Sequence, residues 1–286
     1  MNRLAEGAPG VKEEASEANT KPSFRLSDAW RAPFHDLPIR DEIIYQCLPL
    51  GREMAVLEVG PGSGFTAFRL ARHVREIVSL DAAPHNIARL QRTLNGVANL
   101  RLVCGDIAQP DIARITGGPF DAAFALDVLQ YVPQPHLLFR RLAEVLRSGG
   151  RLLVLWPNYP PERTGGVAYV ATRNVLDAML RDAGFRGWEV YTLELRRFPA
   201  LLVNAFHDRP LRFLRSLRNR TGDARPQVYD QTWTLRSQQR LEPLKVPLNL
   251  AWAVLMAAMR LRGTCFERTP LHGENIDGNL LLLARR

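Results

Sequence analysis

The stretch Val56-Leu-Glu-Val-Gly-Pro-Gly-Ser-Gly64 decides the fold of this 286-residue chain. Its first residues are apolar apart from Glu58, which is typical of the end of a buried strand. The glycines that follow permit a sharp turn and let the backbone approach a ligand closely. A helix that begins near Thr66 would present its free N–H groups to that ligand. The stretch therefore predicts a strand, a turn and a helix, with a ligand site at the turn.

Strand and helix patterns alternate along the chain around this stretch. Alternation of this kind is typical of a doubly wound parallel sheet with helices on both faces. The predicted strands are Met54–Val59, Glu76–Leu80, Leu100–Cys104, Phe120–Leu126, Arg151–Trp156, Trp188–Leu193 and Asn279–Ala284. The predicted helices between them are Thr66–Val74, Pro84–Asn95, Gln134–Arg147 and Ala168–Ala183.

The alternation divides the chain into three parts. Residues 1–22 hold four glutamates and no apolar block, so we predict a disordered tail and no secretory signal. The alternation stops after Leu193, and a structureless loop as long as the one that follows would be implausible. We therefore predict a helical insertion over residues 195–278, and an α/β domain over residues 23–194 and 279–286.

Composition narrows the classes of protein that are possible. Hydrophobic residues make up 46% of the chain, which excludes wholesale disorder, and no apolar run is long enough for a transmembrane helix. Three widely spaced cysteines, Cys47, Cys104 and Cys265, show no metal-binding or disulfide pattern, so we predict a reduced cytoplasmic setting and no metal site. The net charge of +9 favours an anionic partner.

The residues around the turn argue against a dinucleotide. A dinucleotide-binding fingerprint would place its third glycine at position 65, where this chain has Phe65. The carboxylate of Glu58 at the end of the strand disfavours a pyrophosphate. It favours a ligand with cationic groups, such as the ammonium and sulfonium groups of S-adenosylmethionine.

Four segments, in this order, resemble the class I S-adenosylmethionine-dependent methyltransferases, and the resemblance spans roughly Ala55 to Trp156. The segments are Glu58–Gly64, Asp81, Gly105–Ile107 and Asp127–Pro133. The resemblance implies a Rossmann-like sheet of seven strands, mostly parallel, with an antiparallel strand at the C-terminal end. It also implies that S-adenosylmethionine is the cofactor.

The resemblance assigns roles to individual residues. It implies that Asp81 binds the ribose hydroxyls, which suits a carboxylate because its oxygens accept hydrogen bonds. It places Asp106 at the edge of the adenine, and the segment after Asp127 beside the methionine and the reacting methyl group. Alternatively, Asp81 and Asp106 are helix N-caps. The complete predicted cofactor set is Glu58, Gly60, Pro61, Gly62, Ser63, Gly64, Asp81, Ala82, Asp106, Ile107, Asp127 and Val128.

A general base is harder to assign. Many small-molecule methyltransferases of this type carry His where this chain has Tyr131, and a phenol, with a reference pKa near about 10, is a poor base. We name Tyr131 as the catalytic candidate, with orientation of the acceptor as its other role. His136 is better explained as a surface histidine, and Tyr159 is a third candidate. The segment after the fourth strand lacks the Asn/Asp-Pro-Pro-Tyr/Phe motif of many nucleic-acid and protein methyltransferases.

The insertion contains two unusual helical patterns. Pro210–Arg220 is basic and amphipathic, with Arg212, Arg215 and Arg218 opposite its apolar side, and Val246–Met259 carries no charge. The uncharged run would be about 21 Å long as a helix, too short to span a bilayer core of about 30 Å. Two interpretations stay open: a lid over the substrate, or a lid that also docks on an anionic membrane through residues 198–262.

These features predict a methyltransferase for a small, hydrophobic or lipid-linked acceptor, cytoplasmic and peripheral at the membrane. An RNA or protein methyltransferase that holds an anionic partner through the arginines is the alternative. Nucleic acid is disfavoured because the arginines lack interleaved aromatic residues for base stacking. A catalytically silent module that kept the nucleotide fold is a third hypothesis.

Overall fold

The computed structural model describes residues 39–160, 168–203, 245–260 and 265–286. Its strands are β1 Ala55–Val59, β2 Glu76–Asp81, β3 Leu100–Cys104, β4 Phe120–Leu126, β5 Leu146–Asn158, β6 Gly187–Leu195, β7 Phe266–Pro270 and β8 Gly278–Arg285. Its α-helices are α1 Ile39–Cys47, α2 Phe65–Leu70, α3 Pro84–Thr93, α4 Ile112–Thr116, α5 Pro135–Val145, α6 Arg173–Ala183, α7 Arg197–Val203 and α8 Lys245–Arg260. A short 3-10 helix spans Leu129–Tyr131.

All the strands belong to one sheet with the order β3-β2-β1-β4-β5-β8-β6-β7. Strands β1 to β5 pair in parallel, and β8 is antiparallel between β5 and β6. This confirms the predicted Rossmann-like sheet, mostly parallel with an antiparallel C-terminal strand.

The sheet has eight strands, so the predicted number of seven was wrong by one. The additional strand, β7, pairs antiparallel with β6 at the edge of the sheet and lies inside the range 195–278 predicted as helical. Four of its five side chains are exposed, so its sequence Phe-Glu-Arg-Thr-Pro lacks the apolar pattern of a buried strand. The division into a tail, an α/β domain and an insertion stays a prediction.

The apolar strands are buried because helices cover both faces of the sheet. Every residue of β1 is buried, with Leu57 and Val59 facing one core layer and Val56 facing the other. Alternation of side chains between the two faces places the strand interior in two separate packed layers. The turn after β1 is thereby fixed to the centre of the sheet.

Helix α8 confirms the helix predicted over Val246–Met259, whereas the predicted basic helix at Pro210–Arg220 and the tail 1–22 lie outside the described residues. None of the described helices combines the length and the apolar character required to cross a membrane. Helix α2 ends at Leu70, earlier than the predicted Val74.

Helix α1, which the sequence patterns did not predict, is fastened to α2 by a buried ion pair. The guanidinium of Arg69 contacts the carboxylate of Asp41, and both side chains are more than nine-tenths buried. The hydroxyl of Thr66 donates to the same carboxylate at 2.9 Å. Helix α1 is therefore held against the helix that begins at the glycine turn.

The chain leaves the sheet at the end of β6 and returns to it at the start of β7, and these two ends are neighbours. We call the paired ends, Leu195–Arg196 and Cys265–Phe266, the neck. Leu195 pairs with Phe266 at this point, and the N–H of Arg196 donates to the carbonyl of Cys265 at 3.0 Å. The N–H of Cys265 donates to the carboxylate of Glu42 on α1 at 2.8 Å. The neck is thus anchored to both the sheet and the first helix.

Candidate functional site

The four segments predicted to bind the cofactor follow four strands that end at the same edge of the sheet. Because the strand order is β3-β2-β1-β4, this edge presents in turn Asp106, Asp81, Gly60 and Asp127. Backbone hydrogen bonds continue across the edge, from Gly60 N to Leu80 O at 2.9 Å and from Gly105 N to Asp81 O at 3.0 Å. Ligands of open α/β sheets bind at the carboxyl ends of the strands.

The glycine turn requires glycine for conformational and steric reasons. Gly60, Gly62 and Gly64 all have positive φ angles, of 71°, 51° and 82°. A Cβ atom on Gly60 would lie 2.4 Å from a methyl carbon of Val128, while one on Gly62 would meet no atom of the described residues within 4 Å. The turn is therefore packed against the protein at Gly60 and faces open space at Gly62.

The segment between these glycines is compact. Gly64 N donates to Pro61 O at 2.7 Å, and Phe65 N donates to the hydroxyl of Ser63 at 3.4 Å. Pro61 is buried, whereas Ser63 is half-buried. The turn thus supplies its own acceptor for the N–H of Phe65, the first residue of α2.

Glu58 places a buried carboxylate two residues before the turn. Glu58 is 3% exposed, and the hydroxyl of Ser79 on the neighbouring strand donates to its carboxylate at 2.6 Å. A buried charge needs a partner of opposite sign or several hydrogen bonds. Glu58 thus places a carboxyl group beside the turn, at the position predicted to face the cationic groups of the ligand.

Asp81 ends β2 with its carboxylate partly occupied. One oxygen accepts from Ala83 N at 2.8 Å, and the other accepts from the side-chain amide of Asn86 at 2.5 Å. Each oxygen has a second lone pair, so two hydroxyl groups of a ribose could still be accepted. The N-cap residue of α3 is Ala83, so Asp81 is not a helix cap; Ala82 is exposed beside it.

Asp106 follows β3 and is exposed. One of its carboxylate oxygens accepts from Ala108 N at 2.9 Å, which closes a local turn. The N-cap residue of α4 is Asp111, so Asp106 is not a helix cap either. Ile107 is buried in the core below it.

The segment after β4 carries an unusual backbone conformation. Of the described residues other than glycine, only Asp127 has a positive φ angle, of 54°. Its N–H donates to Leu155 O at 2.7 Å, and its carbonyl accepts from the amide of Gln130 at 3.0 Å. Such strained residues concentrate at functional sites. The conformation directs the chain so that Val128 contacts Gly60.

The candidate acceptor residues differ in position. Tyr131 ends the 3-10 helix and is 42% exposed, so its phenol is accessible from solvent. Tyr159 directly follows β5 and is half-buried, while His136 is exposed on α5, as expected for a surface histidine. The described residues contain no group of His, Cys, Asp and Glu suited to a metal ion. The role of Tyr131 stays a prediction.

Two residues of α3 were missed by the sequence patterns. Arg89 donates both to the carbonyl of Gly62 and to the side chain of Asn86. Burial lowers the pKa of the Arg89 guanidinium, and the nearby carboxylate of Asp81 opposes this effect. Their only sequence signal is the spacing of five and eight residues after Asp81, which places both on the first turns of the following helix.

The site fits S-adenosylmethionine on three observations. The open space at Gly62 admits a ligand against the backbone, the buried carboxylate of Glu58 suits a cationic group, and the free lone pairs of Asp81 suit a ribose. The cofactor is thus matched by the chemistry of the donor set, although each residue assignment stays a prediction.

Residues 57–154 match the family model for a methyltransferase domain. The chain is 32% identical over 140 residues to a ubiquinone biosynthesis O-methyltransferase of Xanthomonas axonopodis pv. citri (strain 306), which covers 47% of this chain and 56% of that protein. It is 33% identical over 126 residues to the protein of that description from Xylella fastidiosa (strain 9a5c), which covers 43% and 49%. The chain spans about half the length of these relatives.

Solved structures with a similar fold include the [4+2]-cyclase SpnF, at 19% identity and a TM-score of 0.49 over 90% of this chain and 84% of that one. The N-terminal domain of EvdMO1, with SAH bound, is 23% identical with a TM-score of 0.44, over 56% and 75%. The family match, the relatives and the strand order agree with one another. The family match and these relatives support a class I S-adenosylmethionine-dependent methyltransferase with S-adenosylmethionine as its cofactor.

Proposed function

We propose that this protein transfers the methyl group of S-adenosylmethionine to a small, hydrophobic or lipid-linked acceptor. The observation that carries the proposal is the set of cofactor-type groups at one sheet edge: the glycine turn, the buried Glu58 and Asp81. The relatives of known description are O-methyltransferases of ubiquinone biosynthesis, which supports an acceptor of this class. They do not favour the RNA or protein methyltransferase alternative.

In this proposal each strand end has one task. When bound, S-adenosylmethionine supplies an electrophilic methyl group, so the protein mainly has to position the reactants and exclude water. Glu58 faces the amino-acid end of the cofactor, Asp81 holds the ribose and Asp106 borders the adenine. Tyr131, exposed beside the strained Asp127, orients the acceptor.

Replacing Asp81 with asparagine tests the cofactor site. We expect Asp81→Asn to bind S-adenosylhomocysteine about 10–100-fold more weakly, because hydrogen bonds to a charged group contribute about 1.5–3 kcal/mol. Isothermal titration measures the affinity. Asp182→Asn, which changes an exposed carboxylate on α6, is the matched control and should bind as the wild type does. Wild-type protein that is folded and fails to bind would overturn the proposed function.

We further propose that α7 and α8 dock on an anionic membrane that holds the acceptor. Within the described residues, Leu201 on α7 and Val254 on α8 are 66% and 70% exposed, and the two helices contact each other. Between Lys245 and Arg260, helix α8 carries no charged residue. Exposed apolar side chains with a net charge of +9 are suited to a negatively charged bilayer surface.

A paired substitution tests this docking. We expect Leu201→Glu with Val254→Glu to weaken binding to vesicles containing anionic lipid at least about tenfold, because two apolar side chains are lost and two negative charges are added. Liposome flotation with and without anionic lipid measures the binding. Val175→Glu on α6, where the side chain is 40% exposed, is the control. Equal loss in the control would assign the effect to net charge alone.

A further inference from the structure

We propose that Arg89 is a positioning residue that ties the glycine turn to Asp81 and thereby sets the affinity for S-adenosylmethionine. The inference rests on the proposed function, because it concerns the same cofactor site. Arg89 lies on α3, the helix that follows β2, and none of the sequence motifs includes it. The inference deepens the proposed function because it names the residue that fixes the distance between the glycine turn and Asp81.

The tie is a continuous chain of hydrogen bonds. The guanidinium of Arg89 donates to the carbonyl of Gly62 in the turn and to the side-chain oxygen of Asn86. The amide group of Asn86 donates at 2.5 Å to the carboxylate of Asp81. The turn after β1 is therefore connected to the carboxylate at the end of β2 through two side chains of one helix.

The turn has few other supports at this point. Among the described residues, no atom would lie within 4 Å of a Cβ atom on Gly62, so none of their side chains packs against this glycine. Gly64, in contrast, lies close to α3, because a Cβ atom there would be 2.6 Å from methyl carbons of both Leu90 and Leu94. Helix α3 thus contacts the turn by packing at Gly64 and by hydrogen bonding at Gly62.

Arginine suits this position because its planar guanidinium presents several donors in a fixed arrangement and can serve two acceptors together. Asn86 is 7% exposed, and both ends of its amide are used, one toward Arg89 and one toward Asp81. A buried amide is costly to leave without partners. Loss of Arg89 would therefore remove a donor from the carbonyl of Gly62 and from Asn86, the residue that donates to Asp81.

The consequence should appear in cofactor affinity. When the turn and Asp81 are held together before binding, less conformational freedom is lost on binding. Arg89→Met keeps the length of the side chain and removes its donors. We expect it to weaken binding of S-adenosylhomocysteine about tenfold, which corresponds to the loss of one charge-assisted hydrogen bond. The matched control is Arg92→Met, which removes an exposed arginine from the same helix.

Two further variants separate positioning from general damage. Arg89→Lys retains the charge and one donor direction, so it should recover part of the lost affinity. Asn86→Leu should weaken binding by a similar factor, and combining it with Arg89→Met should cost little more, because both changes break one chain of contacts. Isothermal titration gives the affinities, and thermal unfolding of the cofactor-free proteins checks that each variant is folded.

The outcomes distinguish this inference from the proposed function. If folded wild-type protein does not bind S-adenosylhomocysteine, both fail. If the wild type binds and Arg89→Met binds equally well, the positioning role is overturned and the proposed function stands. A loss that Arg92→Met shares, or that Arg89→Lys fails to recover at all, or that adds fully to the loss in Asn86→Leu, would also overturn the tie.

Discussion

Replacing Asp41 with asparagine is expected to lower the free energy of unfolding by about 3–5 kcal/mol, the typical cost of breaking a buried ion pair by removing one of its charges. Asp41 is 1% exposed, and its partner Arg69 is 6% exposed. The change also weakens the contact with Thr66, which donates to the same carboxylate. Urea unfolding, followed by circular dichroism, measures the loss as a lower transition midpoint.

An exposed pair of the same chemistry is the control. Asp111 and Arg114 contact at 2.7 Å, with side chains that are 44% and 80% exposed. Asp111→Asn should lower the free energy of unfolding by no more than about 1 kcal/mol, the typical contribution of a surface ion pair. Equal effects at Asp41 and Asp111 would show that burial does not determine the cost.

A double substitution tests the cause of the loss. Asp41→Leu with Arg69→Met removes both charges of the pair together, so it should be less destabilising than Asp41→Asn alone. If the double variant is the less stable of the two, the ion pair itself stabilises the contact between α1 and α2.

Gly60→Ala is expected to reduce the affinity for S-adenosylhomocysteine by about 10–100-fold. The new Cβ atom would lie 2.4 Å from a methyl carbon of Val128, and φ at this position is 71°. Adding an atom to a packed site costs about 1–3 kcal/mol and shifts the backbone. A shift of this turn moves the groups that approach the cofactor. Isothermal titration and thermal unfolding measure the two effects.

Two variants separate the steric clash from the backbone strain. Gly184 has a positive φ of 95° as well, but a Cβ atom there would meet no atom of the described residues within 4 Å, and Gly184 lies at the end of α6. Gly184→Ala therefore introduces the backbone strain without the clash. It should lose about 1 kcal/mol of stability and no affinity. Adding Val128→Ala to Gly60→Ala removes the clash and should recover part of the affinity. Failure to recover any would place the cause in the strain alone.

The parallel half of the sheet could be predicted because its strands are short, continuous apolar runs. Leu57, Val78 and Ala123 lie at the centre of such runs, and all are fully buried. Parallel strands bring their carboxyl ends to one edge, so the relative places of Asp81 and Asp106 followed from the topology. The same argument could not find β7, since only Phe266 in that strand is not exposed.

The partners of the buried polar side chains could not be predicted from the sequence, for a different reason. Asp41 and Glu42 stand side by side in a helix with polar ends, a pattern typical of a solvated face, yet both are buried. Their partners, Arg69 and the backbone of Cys265, are 28 and 223 residues away. Periodicity describes which face of an element is apolar and carries no information on which distant group a polar side chain meets.

The neck has a consequence for how such a protein can diversify. Neighbouring strands lie about 5 Å apart. The two ends of a segment that connects such strands therefore stay close together, whether the segment is short or long. Each doubling of a loop adds only about 0.6 kcal/mol of closure cost. The stretch between Arg196 and Cys265 can therefore be lengthened, shortened or exchanged between relatives while the strands that carry the cofactor groups keep their places. Changes in that stretch can therefore accumulate while the sheet edge formed by β1 to β4 is left in place.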